Sequence, residues 1–298
     1  MARRQRPRSF GPVVKALIRR IHFFAAGSCT QREALAIAGG NWGKIRFPAM
    51  FAAIEHAREG IVLFDTGYAP RSYDAMRTFP EKLYSLATPV SITPEEAAVS
   101  RLRTLGIGHE DVRFVICSHF HADHLGGAAD FSRATYVFSR AGYERVRGLS
   151  RFRAVCAGFL KALLPADFEG RARMLAPGEL GTRVSDFSDF HTGHDLFGDQ
   201  SVVLLEMPGH AAGHLGAVVR DESGKVYLLI GDACWLEASY RRNVPPPNTL
   251  ARLFFDDRQQ YLQTLLRIHR FSKAHPEVIV VPSHCPHTLA RISQDQQR

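Results

Sequence analysis

FVICSHFHADHLGG, running from Phe114 to Gly127, places three histidines and one aspartate within six residues: His119, His121, Asp123 and His124. The residues just before them, Phe114 to Cys117, are apolar and partly β-branched, which predicts a short buried strand. The donors therefore fall on a loop at a strand end, where a rigid sheet commonly holds chemistry. His119 and His121 are two apart, so on an extended segment both imidazoles point the same way and suit one metal ion. The backbone must turn before Asp123 and His124, which can then aim at a second ion beside the first. Imidazole and carboxylate suit zinc, iron or manganese, and no thiolate stands here to favour a softer site. Gly126 and Gly127 leave room for close backbone approach. The plain alternative is a surface loop rich in histidine, and four donors at this spacing weigh against it.

Working outward, the same arrangement recurs. Four times an apolar run leads straight into a ligand type: at His119, at His210 after Ser201–Met207, at Asp232 after Lys225–Ile230, and at His284 after Val278–Pro282. Arg20 to Gly27 reads as the first strand, preceded by a helical or loose tail, and residues 28–46 read as a long polar loop. Phe47–His56 and Ile61–Phe64 form a hairpin ending in Asp65-Thr66-Gly67, and Leu215–Arg220 pairs with Lys225–Ile230 in another. Thr93-Pro94-Glu95-Glu96 is a capping box with proline at the first helical position, followed by a stripe of Ala98, Val99, Leu102 and Leu105. Thr135–Ser139 is a strand and Ala141–Arg147 a short helix. Residues 148–178 read as a helical insertion whose apolar stripe either packs on the core or caps the site. Residues 242–250 are a proline-rich loop, and Asp256 to Ser272 is a helix. This mixture implies two sheets packed together with helices outside.

The bulk properties exclude several classes. With 298 residues, 45% hydrophobic and 22% charged, the chain is an ordinary globular protein, and no apolar run reaches membrane-spanning length. The net charge of +9 is concentrated in Arg3, Arg4, Arg6, Arg8, Lys15, Arg19 and Arg20, with no acid among residues 1–24. The expectation is a basic, poorly ordered tail over residues 1–18 and a single domain over 19–298. Such a tail could touch an anionic surface, but no nucleic-acid partner is expected. Lys15, Arg19 and Arg20 interrupt any secretory core segment. The five cysteines, Cys29, Cys117, Cys156, Cys234 and Cys285, are odd in number and irregular in spacing, which fits a reducing, cytoplasmic setting.

HFHADH at positions 119–124 resembles the HxHxDH signature of the metallo-β-lactamase superfamily. The resemblance spans roughly residues 20–290 and extends to FDTG at 64–67, PGHAAGH at 208–214, GDA at 231–233 and the final Ser283-His284. It implies an α/β fold, an αββα four-layer sandwich of two mixed β-sheets flanked by helices. It also implies that His119, His121 and His210 hold one divalent ion, that Asp123, His124 and His284 hold another, and that Asp232 bridges both. Zinc is the first choice, with iron or manganese as alternatives. Asp65 would orient a metal-bound histidine, and His214 would support its loop rather than ligate. Two such ions acidify a bridging water, giving hydroxide at working pH, and polarise an ester carbonyl. Asp123 or Asp232 would shuttle the proton.

Within that superfamily the chain most resembles the N-acyl-homoserine lactonases. The expected substrate is then a small ester or lactone with an apolar portion. His121 stands where oxygen-reducing diiron relatives carry a carboxylate, which points to hydrolysis. Asp232 stands where β-lactam-cleaving members carry a cysteine ligand. One departure concerns the tyrosine that these lactonases place three residues after the bridging aspartate: here it is Trp235, with Tyr240 nearby in sequence. The rival readings are a glyoxalase-II-like thioesterase, a phosphodiesterase, and a non-catalytic metal-bound accessory or effector protein.

Overall fold

The computed structural model describes residues 17–184, 189–248 and 255–296. The basic tail expected over residues 1–18 lies almost wholly outside them. Two sheets form the body. The first has seven strands in the order β4-β1-β2-β3-β5-β6-β7, with β1 Ile18–Arg32, β2 Lys44–His56, β3 Gly60–Phe64, β4 Val90–Ser91, β5 Val112–Ile116, β6 Thr135–Ser139 and β7 Ala172–Leu175. The second has six in the order β13-β12-β11-β10-β9-β8, with β8 Thr182–Arg183, β9 Thr192–Asp195, β10 Val202–Glu206, β11 Leu215–Arg220, β12 Val226–Gly231 and β13 Ile279–Pro282. Both sheets are mixed: β3, β5, β6 and β7 run parallel, as do β12 and β13, while the remaining pairings are antiparallel.

The two-residue period of a strand sorts each side chain to one layer. On β2, Met50, Ala52 and Ile54 enter the core between the sheets, while Phe51 and Ala53 face outward. On β12, Tyr227 and Leu229 meet the same inner core, while Leu228 and Ile230 turn to the opposite face. Each fully buried aliphatic side chain contributes about 1.5–3 kcal/mol. The outer faces are closed by helices. Ala98 and Leu102 of the helix Ala98–Arg103 and Tyr143 and Val146 of the helix Arg140–Arg147 cover the first sheet. Tyr261, Leu265, Ile268 and Phe271 of the helix Arg258–Ala274 cover the second. That helix begins at Asp257, whose carboxylate accepts the Gln260 N–H at 3.0 Å. The result is the four-layer α/β sandwich.

Three expectations need correction. β1 starts at Ile18, which is fully buried, so a helical or loose start to residue 21 does not hold; Arg19 and Arg20 are exposed members of that strand. Residues 28–46 are not one long loop. β1 continues to Arg32 and pairs with β2 as far as Lys44, and the short helix Glu33–Ala36 opens the connection between them. Residues 148–178 are not mainly helical. They contain the short helix Arg151–Cys156, two single 3₁₀ turns and the edge strand β7 paired with β6.

Candidate metal centre

The proposed donors converge at one edge of the sandwich, where β3, β5, β10, β12 and β13 all end. His119 and His121 follow β5, and the single helical turn Ala122–Leu125 carries Asp123 and His124. His210 follows β10, Asp232 follows β12, and His284 follows β13. Strand tips from both sheets therefore meet. His119, His121, His210 and Asp232 form one group and Asp123, His124 and His284 a second, with ligand atoms in each lying within 4.8 Å of one another. Asp232 joins them. Its Oδ2 is 3.2 Å from His210 Nε2, and its Oδ1 is 3.0 Å from His284 Nε2 and 3.2 Å from His124 Nε2.

These residues fit metal ions. A buried polar atom without a partner is costly unless something else takes its lone pair. His119 Nε2, His124 Nε2 and Asp232 Oδ1 are buried and have no hydrogen-bond partner, although the two imidazoles and the carboxylate crowd together. Their other ring nitrogens are already engaged. His124 Nδ1 donates to Asp65 Oδ2 at 2.7 Å, His284 Nδ1 donates to the Pro48 carbonyl at 2.7 Å, and His119 Nδ1 lies 3.0 Å from Ser118 Oγ. Those contacts fix the tautomer that leaves Nε2 as an electron-pair donor.

Electrostatics agrees with the donor roles. Burial, reinforced by neighbouring imidazoles, holds the pKa values of His119 and His121 well below the ordinary histidine value, so both stay neutral. Burial alone would raise the Asp232 pKa, but His284, His124 and His210 outweigh it and hold it far down. Burial also opposes charge on His124, yet Asp232, Asp65 and Asp123 overcome it and raise that pKa. The carboxylates thus favour positive charge at His124, which an ion on Nε2 would supply in place of the proton held there.

The surrounding residues hold the donors. Asp65, fully buried at φ 61°, accepts from Ser118 N–H and Ser118 Oγ, each at 2.8 Å, as well as from His124. Thr66 donates its N–H and its hydroxyl to the His124 carbonyl, both at 2.9 Å. A Cβ on Gly126 would stand 2.7 Å from the Gly67 carbonyl oxygen, which accounts for a glycine there. His214 lies outside both donor groups. Its Nε2 accepts the Asp232 N–H at 3.0 Å, and burial pushes its pKa down to about 3. Trp235 donates Nε1–H to Asp232 Oδ2 at 2.8 Å. Tyr240 is buried in the outer core of the second sheet and does not line the cleft.

Three supports escape sequence reading. Ser118 bridges Asp65 and His119, and the only hint is its place beside His119. The Pro48 carbonyl leaves no side-chain signal. Gly158 backs His121: it has φ +68°, and a Cβ there would stand 2.7 Å from His121 Cδ2. Above the donors opens a cleft of about 770 Å³ whose floor is His121, Asp123, His210, Asp232 and His284. Its walls include Leu35, Phe47, Leu83, Leu149, Val155 and Phe255. Residues 149–158 thus form one wall, while Phe159 and Phe168 farther along pack into the core against Phe120 and Phe138.

Two packed mixed sheets with a paired His/Asp cluster at their common edge define a metal-dependent hydrolase scaffold. The chain belongs to the Metallo-beta-lactamase superfamily, whose profile matches residues 51–284. Among curated relatives, it is 24% identical over 255 residues to the N-acyl homoserine lactonase AttM of Agrobacterium fabrum, covering 86% of this chain and 88% of that one. It is 29% identical over 203 residues to the corresponding protein of Azorhizobium caulinodans, covering 66% and 70%. Among solved structures, an N-acyl homoserine lactone hydrolase with bound N-hexanoyl-L-homoserine superposes with a TM-score of 0.67 at 19% identity, covering 94% and 96%. The dizinc quorum-quenching lactonase AidC superposes with a TM-score of 0.60 at 13% identity, covering 93% and 92%.

Proposed function

We propose that the protein is a metal-dependent hydrolase that opens a lactone, with N-acyl homoserine lactones as the leading substrate class. The carrying observation is the pair of donor groups sharing Asp232 at the floor of an apolar-walled cleft. His119, His121, His210 and Asp232 would hold one ion, and Asp123, His124, His284 and Asp232 the other. Zinc suits this nitrogen and oxygen set best, with iron and manganese as alternatives. When bound, the pair supplies Lewis acidity to the ester carbonyl and acidifies a water for attack.

The chain's own residues do the remainder. Asp232, held ionised by three imidazoles, fixes the spacing of the two donor groups. Asp123 reaches the cleft floor and is the residue we assign to carry the proton. In the reaction the water oxygen forms a bond to the carbonyl carbon and the ring C–O bond breaks. One water proton passes by way of Asp123 to the leaving ring oxygen, giving the alcohol, and the other leaves as the product acid ionises. The apolar walls receive the acyl chain and exclude water from it. Trp235, engaged with Asp232, does not offer the phenol that the lactonase pattern places there. Tyr84 is the tyrosine that lines the cleft among the described residues, with its hydroxyl 3.0 Å from that of Tyr68.

The test is acid release from N-acyl homoserine lactones, a thioester and a chromogenic phosphodiester, each with and without chelator. Chelator-sensitive opening of the lactones, restored by zinc, is the expected result. Metal-dependent turnover of none of the three would overturn the assignment and favour a binding role. A reducing, cytoplasmic setting agrees with five cysteines that are all free thiols. Among the described residues, no helix is long and apolar enough to cross a membrane.

A further inference from the structure

Three arginines, Arg32, Arg145 and Arg153, line the cleft, and their surroundings differ. Arg145 is committed to structure: its Nη2 lies 3.1 Å from Asp256 Oδ1, and Asp256 Oδ2 accepts the Ala212 N–H at 2.8 Å, which braces the His210 loop. Arg32 donates to the Trp42 carbonyl at 2.7 Å and sits over its ring. Arg153 has neither a carboxylate nor a carbonyl partner among the described residues, and it is exposed. Its neighbour on the same helix, Arg151, is held by Glu81 at 2.6 and 2.9 Å, outside the cleft lining. The helix Arg151–Cys156 therefore sends one guanidinium to an acid and leaves the next for the cleft.

We infer that the cleft selects esters or lactones whose apolar arm ends in an anionic group, and that Arg153 binds that group. This rests on the hydrolase reading above and adds the substrate's charge to it. A guanidinium offers a planar fork matched to carboxylate, sulfonate or phosphate oxygens. Arg153 stands five residues before Gly158, which backs His121, and both line the cleft. The intervening wall is apolar, through Leu149 and Val155. Apart from the floor carboxylates, the lining acid is Asp256, already paired with Arg145, so the cleft mouth is positive. Such a field raises the encounter rate of anions and weakens with salt.

Two measurements on the metal-loaded protein test this. The first compares N-decanoyl homoserine lactone with its counterpart bearing a carboxylate in place of the terminal methyl. The charged substrate should show a kcat/KM higher by about tenfold at low salt, with the advantage shrinking as salt rises. In Arg153→Gln its KM should rise about tenfold with kcat unchanged, since the contact is remote from the reacting bond. The neutral substrate should change less than twofold. Arg147→Gln, which removes the same charge from outside the cleft, should keep the preference. The second measurement is calorimetric binding of decane-1-sulfonate, a weak metal ligand, against decan-1-ol. The sulfonate should bind about tenfold tighter, and only when Arg153 is present. Equal handling of the charged and neutral pairs, or a preference that survives Arg153→Gln, overturns the inference. Lactone opening without charge preference would leave the hydrolase reading standing. Arg153-dependent sulfonate binding without lactone opening would leave the anion site and remove the lactonase reading.

Discussion

Asp65 sits in the left-handed region that few non-glycine residues adopt, and the strain is repaid by three hydrogen bonds to Ser118 and His124. Asp65→Asn is a clean probe, because asparagine tolerates the same backbone angle. The carboxamide has one acceptor oxygen, so it cannot accept from the Ser118 N–H and from His124 Nδ1 together; with the oxygen kept on the Ser118 N–H, its NH2 faces His124 Nδ1 and the fixed tautomer is lost. Affinity of the second donor group for zinc should fall roughly 10–100-fold, read as metal stoichiometry dropping from two to one under chelator competition. Unchanged stoichiometry would show that Asp65 serves the backbone alone. Trp235→Phe removes the indole bond to Asp232 while keeping the apolar wall. Metal retention should weaken by a similar factor, with circular dichroism unchanged. Equal retention would mean that Trp235 only shapes the cleft.

At the scale of elements, the wall formed by residues 149–158 is bound to the metal floor through Gly158. The Ala122 N–H donates to the Gly158 carbonyl at 3.0 Å, and the missing Cβ lets His121 lie flat against the chain. Gly158→Ala should cost about 1–3 kcal/mol through its positive φ and the push on His121, measured by urea denaturation alongside zinc affinity. Gly148→Ala, where a Cβ meets nothing within 4 Å, is the control and should stay near neutral. This element also shows what a sequence can and cannot carry. His119, His210, Asp232 and His284 are legible because an apolar, partly β-branched run precedes each, and Asp123 and His124 are legible from their spacing after His119, both local signals. β7 (Ala-Arg-Met-Leu) is not, because it is an edge strand whose conformation comes from pairing with β6. The polar stretch Ser28–Arg32 carries no strand signal for the same reason: partners on β2 some twelve to twenty residues away hold it extended. The Pro48 carbonyl that orients His284 is set by that same long-range pairing.

Over the whole molecule, the two sheets are joined at both ends. At one end the joint is the metal floor. At the other, His56 closes β2 and its Nε2 lies 3.0 Å from Ser201 Oγ, just before β10, while its Nδ1 accepts the Arg58 and Glu59 N–H groups. Burial pushes the His56 pKa down, with Asp199 opposing only in part. The unfolded chain therefore takes up a proton first as pH falls. Stability from this group is intact above about pH 6.5 and is lost as pH drops towards the lowered folded value. His56→Asn should lose less stability than the wild type between pH 7.5 and 5, measured by urea midpoints of the metal-free proteins. Equal losses would place the acid sensitivity elsewhere.

Asp232, His210 and His284 come from the second sheet, and the remaining donors come from the first. Ions held among them would act as a rivet as well as a catalyst: loading at a thousandfold excess over Kd would add about 4 kcal/mol to the folded state. Cells short of the bound metal would then be left with fewer molecules rather than merely idle ones, since quality-control proteases remove chains that open. The half-life of the protein in cells should follow the metal content of the growth medium, and a pulse-chase experiment with and without added zinc would reveal it.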